Sequence, residues 1–107
     1  MPDTTNDGCY EVYWPRTARQ ARVRALAPRL PTLAGKTVAQ LWDFLFRGDK
    51  VFEYIEAALQ ARYPGIRFVS WREFGNTHGS DEHAVLASLP ERFRQLGVDA
   101  VISGMGC

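Results

Sequence analysis

The sequence shows no dominant charge, no leader-like pattern in its opening residues, no long apolar run and no cysteine pattern. It carries 13 Lys plus Arg against 12 Asp plus Glu. That balance excludes a partner recruited by bulk charge, so neither nucleic acid nor a membrane surface is expected as a partner. No run approaches the ~20 apolar residues that cross a bilayer. The opening Met-Pro-Asp-Thr-Thr-Asn-Asp-Gly has no basic region followed by an apolar one, as a secretory leader would. The expected location is cytoplasmic, where thiols stay reduced. Only Cys9 and Cys107 are present, at opposite ends. They make no disulfide framework, although a Cys9–Cys107 pairing stays open. His78 and His83 do not share a helical face and have no cysteine pair beside them, so no metal is expected. Repeats and low-complexity segments are absent.

What is present reads as one folded domain. Hydrophobic residues make up 46% of 107 residues and charged residues 23%, a globular composition at single-domain length. One basic stretch stands out, with Arg16, Arg19, Arg22, Arg24 and Arg29. It could touch phosphate. No aromatic stacking platform is interleaved with it, so a solvated arm explains it as well.

Along the chain, residues 1–34 read as an N-terminal extension and linker. Cys9 to Trp14 is β-prone and ends at Pro15; Thr17 to Leu26 reads as a short helix; Pro28 and Pro31 impose an extended path. The organised α/β domain occupies 35–107. Thr37 to Trp42 predicts a first strand. Asp49 is placed to cap a helix carrying Val51, Phe52, Ile55, Ala58, Leu59 and Arg62 at helical spacing. Tyr63-Pro64-Gly65 stops it, and Ile66 to Trp71 predicts a second strand. Asp81 to Leu96 is helical, with Pro90 too deep for one continuous helix. Ser88 and Glu91 have capping-box spacing, so a separate helix is expected to start at Ser88. Val85, Leu86, Leu89, Phe93 and Leu96 form its expected buried stripe, Gly97 ends it, and Val98 to Ser103 predicts a third strand.

The order β-α-β-α-β, with connections long enough for crossovers, predicts a three-layer parallel sheet of Rossmann or flavodoxin type. Such sheets usually have about five strands or more, so this βαβαβ unit is expected to be an incomplete half. Ligands in these folds bind beyond the carboxyl ends of the strands. Three loops meet there by topology. The first carries Asp43, Phe44, Phe46, Arg47 and Gly48; the second Arg72, Glu73, Asn76, Thr77 and His78; the third Ser103, Gly104, Met105, Gly106 and Cys107.

Cys107 is the candidate nucleophile or redox centre, because a thiol on a Gly-rich turn before a helix has its pKa lowered. A gap-filling or chance terminal cysteine is the plain alternative. His78 is the candidate acid or base; an exposed or capping loop histidine explains it too. Asp43, Arg47, Asn76, Thr77, Ser103, Gly104 and Gly106 are candidates to hold a small-molecule substrate. Gly104-x-Gly106 is a weak dinucleotide signal without a third glycine and a later acid. Trp42, Phe44, Phe46, Phe52, Phe68, Trp71 and Phe74 are expected to be core rather than a cofactor box.

Three stretches carry a family resemblance: Leu26 through Val38, Phe74-Gly75-Asn76-Thr77-His78-Gly79, and Gly97 through Cys107. They resemble the UGSC family of (seleno)proteins over about residues 26–107. That family is named for a Sec/Cys-Gly-Ser-Cys motif after the third strand of an α/β fold. The resemblance implies a thiol- or selenol-based redox reaction, with no cofactor other than selenocysteine. The motif itself would follow Cys107. Selenocysteine is encoded by UGA, so the chain is expected to be the N-terminal part of a longer protein, ended at an in-frame UGA. A possible oxidoreductase in its full length is thus the first reading, with a thiol reductant as partner. A non-catalytic small-molecule-binding module is the second. A nucleic-acid accessory using the arginine arm comes last. An uncovered sheet edge at the third strand predicts self-association.

Overall fold

Thr37 to Trp42 begins with β-branched residues and then stays apolar apart from Gln40, which suits a strand covered on both faces. In the computed structural model, which describes Glu11 and residues 22–106, this segment is strand β1 (Thr37–Trp42). Its first five residues are all buried. Helix α1 (Gly48–Arg62) follows, then strand β2 (Arg67–Val69) and a short 3-10 turn (Trp71–Glu73). Helix α2 (Glu82–Leu96) leads into strand β3 (Ala100–Gly104). The sheet is parallel with order β2-β1-β3. Val38 pairs with Phe68 on one side and with Ala100 on the other.

That order makes the two connections, β1 to β2 through α1 and β2 to β3 through α2, run in opposite directions across the sheet. Right-handed crossovers then place the helices on opposite faces. The contacts agree. On one face Gln40 reaches Glu56 of α1, with Nε2 to Oε1 at 2.6 Å. On the other, Ala39 and Leu41 of β1 pack with Phe74 and with Leu89 of α2, flanked by Val69, Phe93 and Val98. The architecture is the expected α/β one: a parallel sheet between two helical layers.

The boundaries move for identifiable reasons. The second strand, expected over Ile66 to Trp71, spans only Arg67–Val69. Ser70 leaves the ladder because its hydroxyl accepts the Arg72 amide and starts the 3-10 turn. The third strand begins at Ala100 rather than Val98. Val98 is used to close α2, its amide bonding Phe93 O at 3.0 Å. Gly97 adopts φ +66 in that closure, a conformation that costs glycine nothing.

Three expectations fail. Asp49 does not cap α1: the N-cap is Arg47, and Asp49 sits in the first turn. The break at Ser88 does not occur, and Pro90 lies inside a continuous α2. Pro90 and Leu86, whose carbonyl loses its donor, are both exposed, so water can satisfy the orphan. Ser88 instead turns back, its hydroxyl donating to Val85 O at 2.7 Å. Leu86 and Leu96, placed on the buried stripe, are 47% and 38% exposed. Val85 and Leu89 are the stripe's buried members, as read from the sequence.

Residues 22–30 form no helix or strand, so the described part of the expected Thr17 to Leu26 helix is not helical. The β-prone Cys9 to Trp14 stretch, apart from Glu11, lies outside the described residues, as do Arg16, Arg19 and Cys107. Among the described residues no helix is long and apolar enough to cross a membrane.

Candidate functional site

The reversal of strand order lies between β1 and β3. In open parallel sheets the ligand crevice opens there, outside the carboxyl ends of the strands. The residue that follows β1 at that point is Asp43. Its own amide donates to Gly104 O at 3.0 Å, extending the β1–β3 ladder. Its carboxylate then crosses to the turn after β3. Oδ1 accepts the Met105 amide at 2.9 Å and the Leu45 amide at 3.2 Å. Oδ2 accepts the Gly106 amide at 2.9 Å. The Met105 amide does most to hold this carboxyl below its usual pKa. Desolvation opposes it, and the Leu45 and Gly106 amides add to it.

The loop that carries Asp43 is conformationally costly. Phe44, Phe46 and Arg47 all have φ between 55 and 64. Non-glycine residues are rare there, and each costs on the order of 1 kcal/mol or more. Two local interactions hold the loop. The Trp42 indole Nε1 donates to Leu45 O at 2.9 Å. Trp42 also lies close against Gly48, where a Cβ would come within 2.2 Å of Nε1. A glycine is needed at that position because the indole ring occupies the space.

The other two loops close on the same end of the sheet. The Thr77 amide donates to Trp42 O at 3.2 Å, and Asn76 forms a bridge with Trp42. The Asn76 carboxamide in turn accepts the His78 amide at 2.8 Å. The His78 side chain is 62% exposed, with Nδ1 3.9 Å from Glu82 of α2. Arg47 is 74% exposed and turns to Asp49, with Nε 3.4 Å from Oδ1. Ser103 and Gly106 are exposed, and Gly104 is half-buried. Asp43, Asn76, Thr77 and Gly104 are therefore joined around the end of β1 by backbone pairing, and Gly106 by the Asp43 carboxylate. The side chains of Arg47 and His78 make their contacts away from it. Cys107 follows Gly106 directly.

The aromatic residues divide, which corrects the expectation that all are core. Phe52 and Phe74 are buried. Phe44 and Phe46 are 46% and 69% exposed. Phe44 lies 4.6 Å from the Trp42 ring and 5.4 Å from the Trp71 ring, centroid to centroid. Trp42 and Trp71 meet edge-on at 4.6 Å. The Arg72 guanidinium sits 4.4 Å over Trp71. These rings form a half-exposed platform beside the Asp43 turn.

Sequence reading did not single out Gln40, Glu56 or Asp99. Gln40 is 1% exposed and links Glu56 to the Trp71 amide, the latter at 3.4 Å. Asp99 accepts the Thr37 amide at 2.9 Å while its own amide donates to Thr37 O at 2.8 Å. The break in apolar pattern at position 40 of a buried strand was the available signal for Gln40. A groove of about 540 Å³ lies near the start of β3, lined by Leu26 to Leu30, Leu33, Asp99, Ala100 and Val101. Apart from Arg29 of the basic stretch it contains none of the candidate residues, and it is away from the carboxyl ends. Among the described residues no group of three His, Cys, Asp or Glu side chains could hold a metal.

The family model described as the UGSC family matches residues 11–107 of this chain. No curated protein and no solved structure matches it.

Proposed function

We propose that this chain, which belongs to the UGSC family, is the N-terminal part of a thiol- or selenol-dependent redox protein. Its chemistry would be carried on the turn after β3. The observation that supports this most directly is the Asp43 clamp. It holds the backbone of Met105 and Gly106 at the strand-order reversal, immediately before Cys107. The family resemblance puts the Sec/Cys-Gly-Ser-Cys motif next in the chain. A selenolate or thiolate there would attack an oxidised small-molecule substrate. The thiol three residues on would displace the product and close an intramolecular bond, which a thiol reductant would reopen. Cys107 would serve as an auxiliary thiol in this scheme, and no cofactor other than selenocysteine would be needed. The expected setting is cytoplasmic, without nucleic acid or membrane partners.

Two measurements test this. The codon after Cys107 should be TGA, followed by codons for Gly-Ser-Cys and an α/β continuation. Any other reading frame ends the selenoprotein proposal. In the Cys9→Ser variant, Cys107 should be alkylated by iodoacetamide faster than free cysteine at neutral pH. A rate no faster than free cysteine leaves Cys107 with no part in the reaction.

The platform of Trp42, Phe44 and Trp71 favours the alternative, a non-catalytic module binding a small molecule at the same end of the sheet. A ligand that quenches Trp fluorescence without any thiol chemistry would select it.

A further inference from the structure

The amides of Leu45, Met105 and Gly106 converge on one point at the strand-order reversal. In α/β folds, converging main-chain amides at such a place donate to the anionic group of a ligand. Here they are already taken by an anion that the chain itself supplies. We infer that Asp43 is a built-in anion, which closes the reversal point to phosphate- or carboxylate-bearing ligands and leaves the site to an uncharged group.

The neighbouring charges fit. Arg47 is turned to Asp49. Arg72 lies over Trp71, with its Nη1 3.3 Å from the Ser70 hydroxyl. Neither is aimed at the Asp43 turn to neutralise an incoming anion. A second negative group would meet the Asp43 carboxylate with its donors already used. The surface next to it is instead the aromatic platform, which suits an uncharged, apolar face. This inference rests on the proposed reading that the reversal point is the working site. It narrows the substrate class of that site: an uncharged oxidised group rather than a nucleotide phosphate or an organic acid.

The test is a titration of the 15N-labelled full chain with inorganic phosphate at pH 7, following the Leu45, Met105 and Gly106 amides. The wild type should show no saturable shift at them. Asp43→Ala should gain one, with phosphate binding at least about tenfold tighter, because a unit negative charge has been removed from contact distance. Saturable phosphate binding at these amides in the wild type overturns the inference. So does a folded Asp43→Ala protein that gains none. Should Asp43→Ala lose its dispersed spectrum, the wild type is titrated with acid instead. The three amides must then shift together at a pH below the ordinary aspartate range, where Asp43 protonates; independent behaviour overturns the inference. None of these readings involves Cys107. A failed alkylation test removes the redox proposal while leaving the phosphate result to stand or fall by itself.

Discussion

Replacing Gly48 with alanine sets two effects of opposite sign against each other. Gly48 is the first residue of α1, and its φ is not in the left-handed region. Propensity alone would make Gly48→Ala stabilising by up to about 1 kcal/mol. The structure reverses that expectation. The new Cβ would lie 2.2 Å from Trp42 Nε1, 2.5 Å from Cδ1 and 2.8 Å from Cε2. The obstacle is a rigid indole, held by its bond to Leu45 O and by the rings of Phe44 and Trp71. Displacing it costs about 1–3 kcal/mol for overpacking and about 0.5–1.5 kcal/mol for the lost hydrogen bond. Set against the propensity gain, the net is a destabilisation of about 1–3 kcal/mol. Urea unfolding followed by Trp fluorescence reads it, as a midpoint lower by about 1 M for a slope near 2 kcal/mol/M. The sign should invert in a Trp42→Leu background, where the space is free and alanine regains its propensity advantage. A neutral or stabilised Gly48→Ala in the wild-type background would refute the reasoning. So would an unchanged penalty in the Trp42→Leu background.

Two other perturbations follow from buried or uncovered groups. Gln40→Glu would put a second carboxyl against Glu56, where Nε2 now sits 2.6 Å from Oε1. Two carboxylates that close share a proton, so the pair's pKa rises above the unfolded value of about 4.3. The sign is then fixed: the native state binds the extra proton, so the variant's stability is retained below about pH 4 and falls as pH rises through the raised value. Thermal melts from pH 4 to 8 should show a steeper loss than in the wild type, and parallel profiles would count against this account. At the sheet edge, Val101 of β3 is 41% exposed, and β3 has no outer neighbour among the described residues. Self-association through this edge is expected to grow with concentration in light scattering and to fall in Val101→Lys, a charge of the kind that protects edges. Identical association in both proteins would remove β3 as the contact.

β1 was legible residue for residue because local and global requirements coincide in it. A β-branched, apolar run between Lys36 and Asp43 is what a central parallel strand needs. The opposite faces of α1 and α2 followed from strand order, which local sequence does not encode. Leu86 and Leu96 show the limit of periodicity. They fall on the apolar face of α2 by spacing, but a sheet of three strands covers only the part near Val85 and Leu89. Pro90 shows the limit of local propensity, since an exposed helix face tolerates the missing donor that a buried one would not. At the site, the loops that meet were legible from topology. The role of Asp43 was not, because its partners at Met105 and Gly106 lie 62 and 63 positions away. An acid in a loop reads locally as a surface or capping group. The half-exposed platform was hidden for the same reason: composition counts aromatic residues but does not say which face of the sheet end they cover.

The seam between β1 and β3 is bracketed by aspartates, Asp99 with Thr37 at one end and Asp43 with Met105 and Gly106 at the other. Both brackets span more than sixty residues. Closing a loop of that length costs entropy before any of its contacts form. The strand at the centre of the sheet therefore cannot be completed by its sequence neighbours. β1, α1 and β2 can assemble as a local unit, whereas the Asp43 turn exists only once β3 has docked. During synthesis, the Asp43 turn can take shape only after Met105 and Gly106 have been made, long after β1.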